Sequence, residues 1–399
     1  MNRTIGGGTA GGANLLALRS HNTALVLGLL RGAGAGGISR LELAERTGLT
    51  PQAVSKITAR LRGEGLAAEA GRRASTGGKP RTVLRLVPGA GHALGVHLDR
   101  DELRAVLVDL DGAVVAERRA PLDLGAGAET VLEGVARAAE ELAAEGLAPA
   151  VPPGAGVRPP GGALAAAPTL LGLGAALPGP LDHVRGVLHR VTGFPEWDGY
   201  PLRDALERRL GVPVVVDKDT NAAALGLAVG GAGDEEGGGG AGAKSFAYLH
   251  LGTGLGAGLV FGGGVHRGAR TGAGEFGHQV VQLDGPPCTC GARGCIEALC
   301  LAAVARGDLA EAARVLGTGA ANLAGLLDID QVLLGGRTVA AAPEAFVHGV
   351  GAVLDARARR EGGHDGAVPV RLAPGGPRGV AEGAAQLLLA PLFGHANGG

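Results

Sequence analysis

Aromatic residues are nearly missing from this chain: one Trp, two Tyr and six Phe, against 76 glycines in 399 residues. Rings cannot fill a core at that level, so packing has to rest on small and aliphatic side chains, with many turns. Cysteine is almost as scarce, at four residues, and three of these fall within eight positions. That clustering, without an export signal, argues for a reducing compartment rather than for a disulfide framework. No apolar run reaches about 18 residues without a glycine or a charge, which excludes a membrane-spanning helix. The glycine-rich residues 1–12 lack the apolar core of a signal peptide. The expectation is a cytoplasmic protein with no membrane partner and room for roughly two or three domains.

Charge is present in both signs but unevenly placed. Residues 1–90 hold thirteen Lys and Arg against four Glu, a net +9, while the remainder is net −10. A basic segment on an acidic body is the electrostatic pattern of a nucleic-acid-binding module. The same segment has the punctuation of short helices. Residues 14–31 carry Leu15, Leu18, Leu25, Leu29 and Leu30 at helical spacing. Ser39 followed by Glu42 predicts a capping box and a second helix from Arg40. Gly48 closes it, and Thr50-Pro51 opens a third helix that runs to about Gly63, burying Val54, Ile57 and Leu61. Two short helices joined by a glycine-containing turn read as a helix-turn-helix. Arg40, Gln52, Ser55, Lys56 and Arg60 are the candidate DNA contacts on the helices. Strands at 66–70 and 82–87 then flank a loop that offers Arg72, Arg73, Lys79 and Arg81 to phosphates, a winged ending.

The clustered cysteines point to a metal. His278, then nine residues, then Cys288, Cys290 and Cys295 supply the four N and S ligands of a tetrahedral zinc. Gly291 and Gly294 permit the tight turn between them. A closed set of four leaves no open position for water, so the Zn2+ would be structural.

Between these two regions, strands and helices alternate, as in an α/β domain. Strands are expected at 93–96, 105–108, 113–117, 170–176, 212–216, 246–251 and 258–261, with helices at 128–142 and before Gly211. Residues 149–168 read as a surface insertion rich in Pro, Gly and Ala. Asp219 follows a Val-rich strand at the start of a helix. There it serves equally as an ordinary N-cap or as a carboxylate that takes a hydroxyl proton.

The segments Gly274-Glu275-Phe276-Gly277-His278 and Cys288-Thr289-Cys290-Gly291-Ala292-Arg293-Gly294-Cys295-Ile296-Glu297 resemble the signature of the ROK family, which unites repressors, open reading frames and sugar kinases. The winged segment is similar to the N-terminal domain of ROK repressors. The resemblance implies an α/β fold: a tail over 1–13, a winged helix-turn-helix over 14–88, and a two-lobed actin- and hexokinase-like (ribonuclease H-like) domain over 89–399. It assigns effector contacts to Asp219, Asn221, Glu275, His278 and Glu297, with Asp219 as the catalytic base if kinase activity is retained. It also makes Gly252-Thr253-Gly254 a phosphate loop.

Two departures bear on activity. Family kinases carry Asp-x-Gly-Gly-Thr where this chain has His97-Leu98-Asp99-Arg100-Asp101, so side chains fill the turn and two carboxylates would oppose ATP phosphates. Kinases also carry an Asn where Gly193 stands, shortly before Trp197. The sequence therefore reads as a DNA-binding transcriptional repressor of carbohydrate-related genes. It would act as a homodimer or dimer of dimers on double-stranded operator DNA, under control of a sugar or sugar-phosphate effector. The degenerate loop counts against ATP binding and against enzyme activity. The alternatives are an ATP-dependent sugar kinase with a DNA-binding head, and a regulator driven by a partner protein.

Overall fold

The computed structural model describes residues 21–73, 81–147, 169–189, 191, 193–230, 245–362 and 366–395. The tail at 1–13, the first turns of the expected first helix, Lys79 and the insertion at 149–168 lie outside these residues. The chain divides into two compact units. The first comprises Met1–His92, Pro149–Thr169 and Pro391–Gly394; the second comprises Ala93–Ala148, Leu170–Ala390 and His395–Gly399.

The first unit contains α1 (His21–Gly32), β1 (Ile38–Ser39), α2 (Arg40–Thr47), α3 (Pro51–Gly63), β2 (Ala67–Arg73) and β3 (Arg81–Leu86). The helix starts follow their capping residues. The Ser39 hydroxyl accepts from the Glu42 amide at 3.3 Å, and the Glu42 carboxylate accepts from the Ser39 amide at 2.8 Å. This closes the capping box and satisfies two donors at the start of α2. Thr50 accepts from the Ala53 amide at 3.3 Å, with Pro51 in the first turn. The strands form an antiparallel sheet in the order β1-β3-β2, a hairpin beside the three helices.

The buried faces differ from expectation in detail. On α3, Val54 and Leu61 are buried, but Thr58 rather than Ile57 lies between them. The threonine is tolerated inside because its hydroxyl donates to the Val54 carbonyl at 2.8 Å. On α1 the buried residues are Thr23, Ala24, Val26, Leu27 and Leu30, and Leu25 and Leu29 are half-buried. The C-terminal turn packs against this helix. A Cβ on Gly28 would lie 2.9 Å from the Phe393 carbonyl oxygen, and the Arg31 guanidinium stands 4.8 Å from the Phe393 ring.

The second unit begins with β4 (Gly91–Leu98), β5 (Glu102–Asp109) and β6 (Val114–Pro121), followed by α4 (Ala128–Gly146) and β7 (Thr169–Leu177). A short hairpin, β8 (Leu181–Asp182) and β9 (Val187–Leu188), leads to α5 (Leu202–Leu210), β10 (Val214–Lys218) and α6 (Asp219–Val229). Then come β11 (Phe246–Leu251), β12 (Leu255–Phe261), β13 (Gly264–His266), α7 (Ile296–Ala305), α8 (Leu309–Leu327) and β14 (Gln331–Gly335). The unit closes with α9 (Arg337–Ala341), α10 (Pro343–Arg360), β15 (Val370–Leu372) and α11 (Gly379–Leu389). Two five-stranded sheets result, ordered β10-β7-β4-β5-β6 and β13-β12-β11-β14-β15. The α/β reading holds. Trp197 is core: it is buried and its indole donates to the Leu124 carbonyl at 2.9 Å.

Helices α6 and α11 lie between the two sheets, and the contacts are made backbone to backbone. A Cβ on Gly95 of β4 would fall 2.0 Å from the Ala381 carbonyl oxygen, and one on Gly174 of β7 would fall 1.8 Å from that of Ala384. Gly383 of α11 meets the Ala222 carbonyl in the same way at 2.0 Å, and Gly258 of β12 meets that of Thr220 at 2.2 Å. Glycine is thus required at each step from one sheet through two helices to the other. Gly174→Ala should cost about 1–3 kcal/mol through forced separation of α11 from β7. Gly351→Ala, at a helical site with nothing within 4 Å, should instead add roughly 0.5–1 kcal/mol. Urea denaturation of the full chain measures both, and opposite signs are the expected result.

Candidate functional site

The ends of strands from both sheets converge on a cavity of about 80 Å³. β10 is a run of valines that carries the charged triplet Asp217-Lys218-Asp219 to its end. Asp217 is buried, taking the Arg267 guanidinium at 2.7 Å and the Asn221 amide at 3.0 Å. Asn221, assigned as an effector contact, gives its amide NH2 to this buried pair, keeps a buried Oδ1 without a partner, and is not among the residues that line the cavity. Asp219 lines the cavity. It is the first residue of α6 and not its cap, a position held by Lys218, and its carboxylate accepts from the Thr220 amide at 2.7 Å.

Thr253, Gly254, Glu275, His278 and Glu297 line the same cavity, so the structure brings these assigned residues together with Asp219. Gly252 stands just behind, with its amide on the Gly254 carbonyl at 2.9 Å. Glu297 is buried and accepts from the Leu255 amide at 2.9 Å, which ties the start of α7 to the β11–β12 turn. Glu275 is matched by Lys218, whose buried ammonium lies 3.1 Å from its carboxylate and also donates to the Ala273 carbonyl. Lys218 was not anticipated. A lysine between two aspartates at the end of an apolar strand was the available signal.

The β4–β5 turn corrects the electrostatic expectation. Asp99 and Asp101 do not present free carboxylates to the cleft: both bind Arg337 at the start of α9, Asp101 at 2.8 Å. Asp99 also accepts from the Thr253 hydroxyl at 2.9 Å. Burial works to raise the Asp99 carboxyl, but the Arg337 guanidinium, and to a smaller degree His97, the Arg100 amide and Thr253, hold it at about 2. The clamp fastens a turn of the first sheet to a turn and a helix start of the second. Behind it, His97 is buried with its Nε2 unpartnered, edge-on to His250 at 6.3 Å. Burial pushes the His97 imidazole below its usual value, against the pull of the Asp219 carboxylate. His250 in turn pairs with the Tyr248 hydroxyl at 2.9 Å.

Beside the cavity, His278, Cys288, Cys290 and Cys295 place one donor atom each within 4.8 Å of one another. Cys290 and Cys295 sulfurs are 3.7 Å apart, as are His278 Nδ1 and the Cys288 sulfur. A tetrahedron with metal–sulfur bonds of about 2.3 Å has edges near 3.8 Å, which these two separations match, so the cluster could hold a metal ion. Gly294 is obligatory in the knuckle: its φ is 66° and a Cβ would lie 1.6 Å from the Gln282 carbonyl oxygen. His278 thus turns Nδ1 to the cysteines while bordering the cavity.

A larger groove of about 710 Å³ runs between α8 and α10, lined by alanines and arginines such as Arg314 and Arg357. It holds none of the acid, base or metal-ligating groups above.

Residues 162–303 match the family model described as ROK family. The ROK hexokinase from Thermus thermophilus is 30% identical, covering 74% of this chain and 96% of its own, with a TM-score of 0.53. The chain belongs to the ROK family. A ROK family transcriptional regulator, described as a homolog of the E. coli MLC protein, has a TM-score of 0.70 over 94% of this chain and 98% of its own. At 20% identity it shows the fold alone. Among curated relatives, a putative xylose repressor from Caldicellulosiruptor sp. (strain Rt8B.4) is 28% identical over 65% of this chain and 59% of its own. The DNA-binding transcriptional dual regulator NagC of Escherichia coli (strain K12) is 28% identical over 73% and 65%. The chain spans less than two thirds of the length of these relatives.

The clamp holds the β4–β5 turn in place. Arg337→Ala and Asp99→Asn should each destabilise the second unit, and the double variant should fall short of the sum by about 1 kcal/mol. The folded Asp99 carboxyl ionises near 2, below its ordinary 3.8. The coupling is therefore complete above that ordinary value and fades as pH falls toward the folded one. Thermal denaturation of the four proteins at several pH values reads it directly.

Proposed function

We propose that this chain is a sugar-responsive transcriptional repressor that binds duplex DNA through its first unit. The observation that carries the reading is α3 and its cap. The exposed face at the start of that helix presents Gln52, Ser55 and Lys56, as a recognition helix does in a major groove. The repressor relatives support the same reading. Arg40 and Arg60, also assigned to DNA, are engaged inside the unit: Arg40 donates to Thr58 at 3.3 Å and Arg60 to Thr23 at 2.6 Å. We assign them to bracing the helices. Arg72 and Arg81 are exposed on the hairpin and suit phosphate contacts.

We read the cleft as the effector site, with Asp219, Glu275, His278 and Glu297 accepting or donating hydrogen bonds to sugar hydroxyls. A cavity of about 80 Å³ is well below the roughly 300–1,000 Å³ of small-molecule sites. Entry of a monosaccharide therefore requires the walls, fastened by Arg337, to part. That coupling between occupancy and lobe position supports allosteric control of DNA affinity. We read the cluster as a structural Zn2+ site, since one imidazole and three thiolates form a closed, borderline-soft set. A homodimer on a pseudo-palindromic operator completes the proposal. The retained Asp219 favours a second reading, a sugar kinase, against which stands a first phosphate loop with side chains where backbone amides must crowd a phosphate.

Zinc content should be one per chain, and Cys290→Ser should lose the metal and lower the melting temperature together. A folded, chelator-free preparation without metal would refute the zinc assignment. For DNA, Lys56→Ala should weaken operator binding and lower the slope of log K against log salt by about one, with the fold intact. Arg60→Ala should also lower thermal stability. Sugar phosphorylation from ATP that disappears in Asp219→Asn, with DNA binding indifferent to Lys56→Ala, would replace the repressor by the kinase.

A further inference from the structure

Two imidazoles from different sheets meet beneath the cavity. His97 stands near the end of β4 in the first sheet, and His250 near the end of β11 in the second. Their rings lie edge-on, with centroids 6.3 Å apart. His250 lines the cavity, and His97 is buried beside it. His250 is held on both sides of its ring. Its Nδ1 pairs with the Tyr248 hydroxyl at 2.9 Å, and a Cβ on Gly252 would lie 3.0 Å from its Nε2. The Nε2 of His97 is buried without a hydrogen-bond partner.

Such a site suits a neutral ring only. An imidazolium donates from both nitrogens, and the closed site offers Nε2 neither water nor an acceptor. Four elements turn an ionisable group toward His97. Asp99 comes from the β4–β5 turn, Glu102 from β5, Asp219 from α6 and His250 from β11. Burial is the largest influence and lowers the His97 imidazole from its ordinary 6.5; Asp219 opposes it, His250 adds to it, and Asp99 and Glu102 pull the other way. The balance therefore hangs on burial, and burial hangs on the walls being together. Where the walls part, water reaches Nε2 and the three carboxylates remain to favour the cation. The Arg337 clamp does not share this sensitivity, since the Asp99 carboxyl stays ionised down to about 2.

We propose that His97, facing His250 from the opposite sheet, is a proton-sensitive catch of the cleft, so that mild acidification favours the parted form and opens the site to its ligand. The sign follows from linkage. The closed form holds the His97 proton less tightly than the parted one. Closure is thus fully supported above the ordinary 6.5 and loses support as pH falls below it. A single proton changes the opening equilibrium by at most about tenfold per pH unit. The inference requires the walls to part and is independent of which ligand enters, so it stands or falls apart from the repressor reading.

Two measurements on the full chain test it without any ligand. Histidine Cε1 proton resonances, with His97 identified by its loss in His97→Asn or His97→Gln, should show that ring titrating about one unit or more below 6.5. Hydrogen exchange, corrected for the pH dependence of the chemical step, follows opening at the Asp99 and Leu255 amides. These close onto the Glu102 carbonyl and the Glu297 carboxylate. From about pH 7.5 to about pH 5.5 their opening should rise roughly tenfold relative to the amides of α4, and both His97 variants should lose the rise. Titration of His97 at or above 6.5 would overturn the inference. So would a wild-type chain without the rise, or a rise that persists in both variants. Should neither variant fold, the wild-type exchange decides alone: a rise at the two cleft amides and none in α4 supports the catch, and a uniform response removes it.

Discussion

The close approach of backbone to backbone is the constraint on which the second unit depends. Two sheets are joined through α11 and α6 with glycine at the points of contact, and any side chain at Gly95, Gly174, Gly258 or Gly383 would overlap a carbonyl oxygen. Packing of this kind needs no aromatic rings. It also leaves little room for the helices to shift, since close-packed interiors transmit displacement rather than absorb it. The ends of β4, β10 and β11 are thereby brought to one place, and the cleft is a consequence of that convergence. The abundance of glycine and the poverty of rings are two sides of the same solution.

In and beneath the cleft several charges are committed to ion pairs. Asp217 faces Arg267, Glu275 faces Lys218, and Asp99 with Asp101 faces Arg337. The first pair differs in kind from the third. Asp217 and Arg267 are both buried, so loss of one partner would strand a desolvated charge, whereas Arg337 is partly exposed and its pairing is screened by water. The buried pair suits a fixed foundation under the strand end, and the exposed one suits a fastening that opens. His278 joins the cleft to the cysteine cluster, so whatever steadies the cluster also steadies one wall of the cavity.

Local signals were legible where a residue acts on its own stretch of chain. The Ser39–Glu42 box, the Thr50-Pro51 start, the turn at Gly48 and the valine strand before Asp219 all work within a few residues, and each element begins close to where its signal stands. The cysteine spacing was legible for the same reason, because three of its four donors lie on one knuckle. What the chain did not record was which side-chain donors and acceptors are paired inside the fold. Arg40 and Arg60 sit on helices that read as DNA-facing, yet their donors reach Thr58 and Thr23. Asn221 belongs to a motif that reads as effector-facing, yet its amide turns to Asp217. The two carboxylates of the β4–β5 turn read as facing a phosphate, and Arg337, more than two hundred residues away in sequence, takes them both.

By itself, then, the sequence determined the family, the alternation that makes an α/β body, the starts of α2 and α3, and the His and Cys residues that cluster as a set able to hold a metal. These rest on composition and on spacings within single segments, which the chain carries whatever its fold. Tertiary structure alone decided which charges are matched, which donors are spent in bracing helices, and that His97 comes to lie edge-on to His250. Those outcomes depend on which strand ends meet. The meeting is set by glycine contacts between elements distant in sequence, and spacing along the chain does not record it.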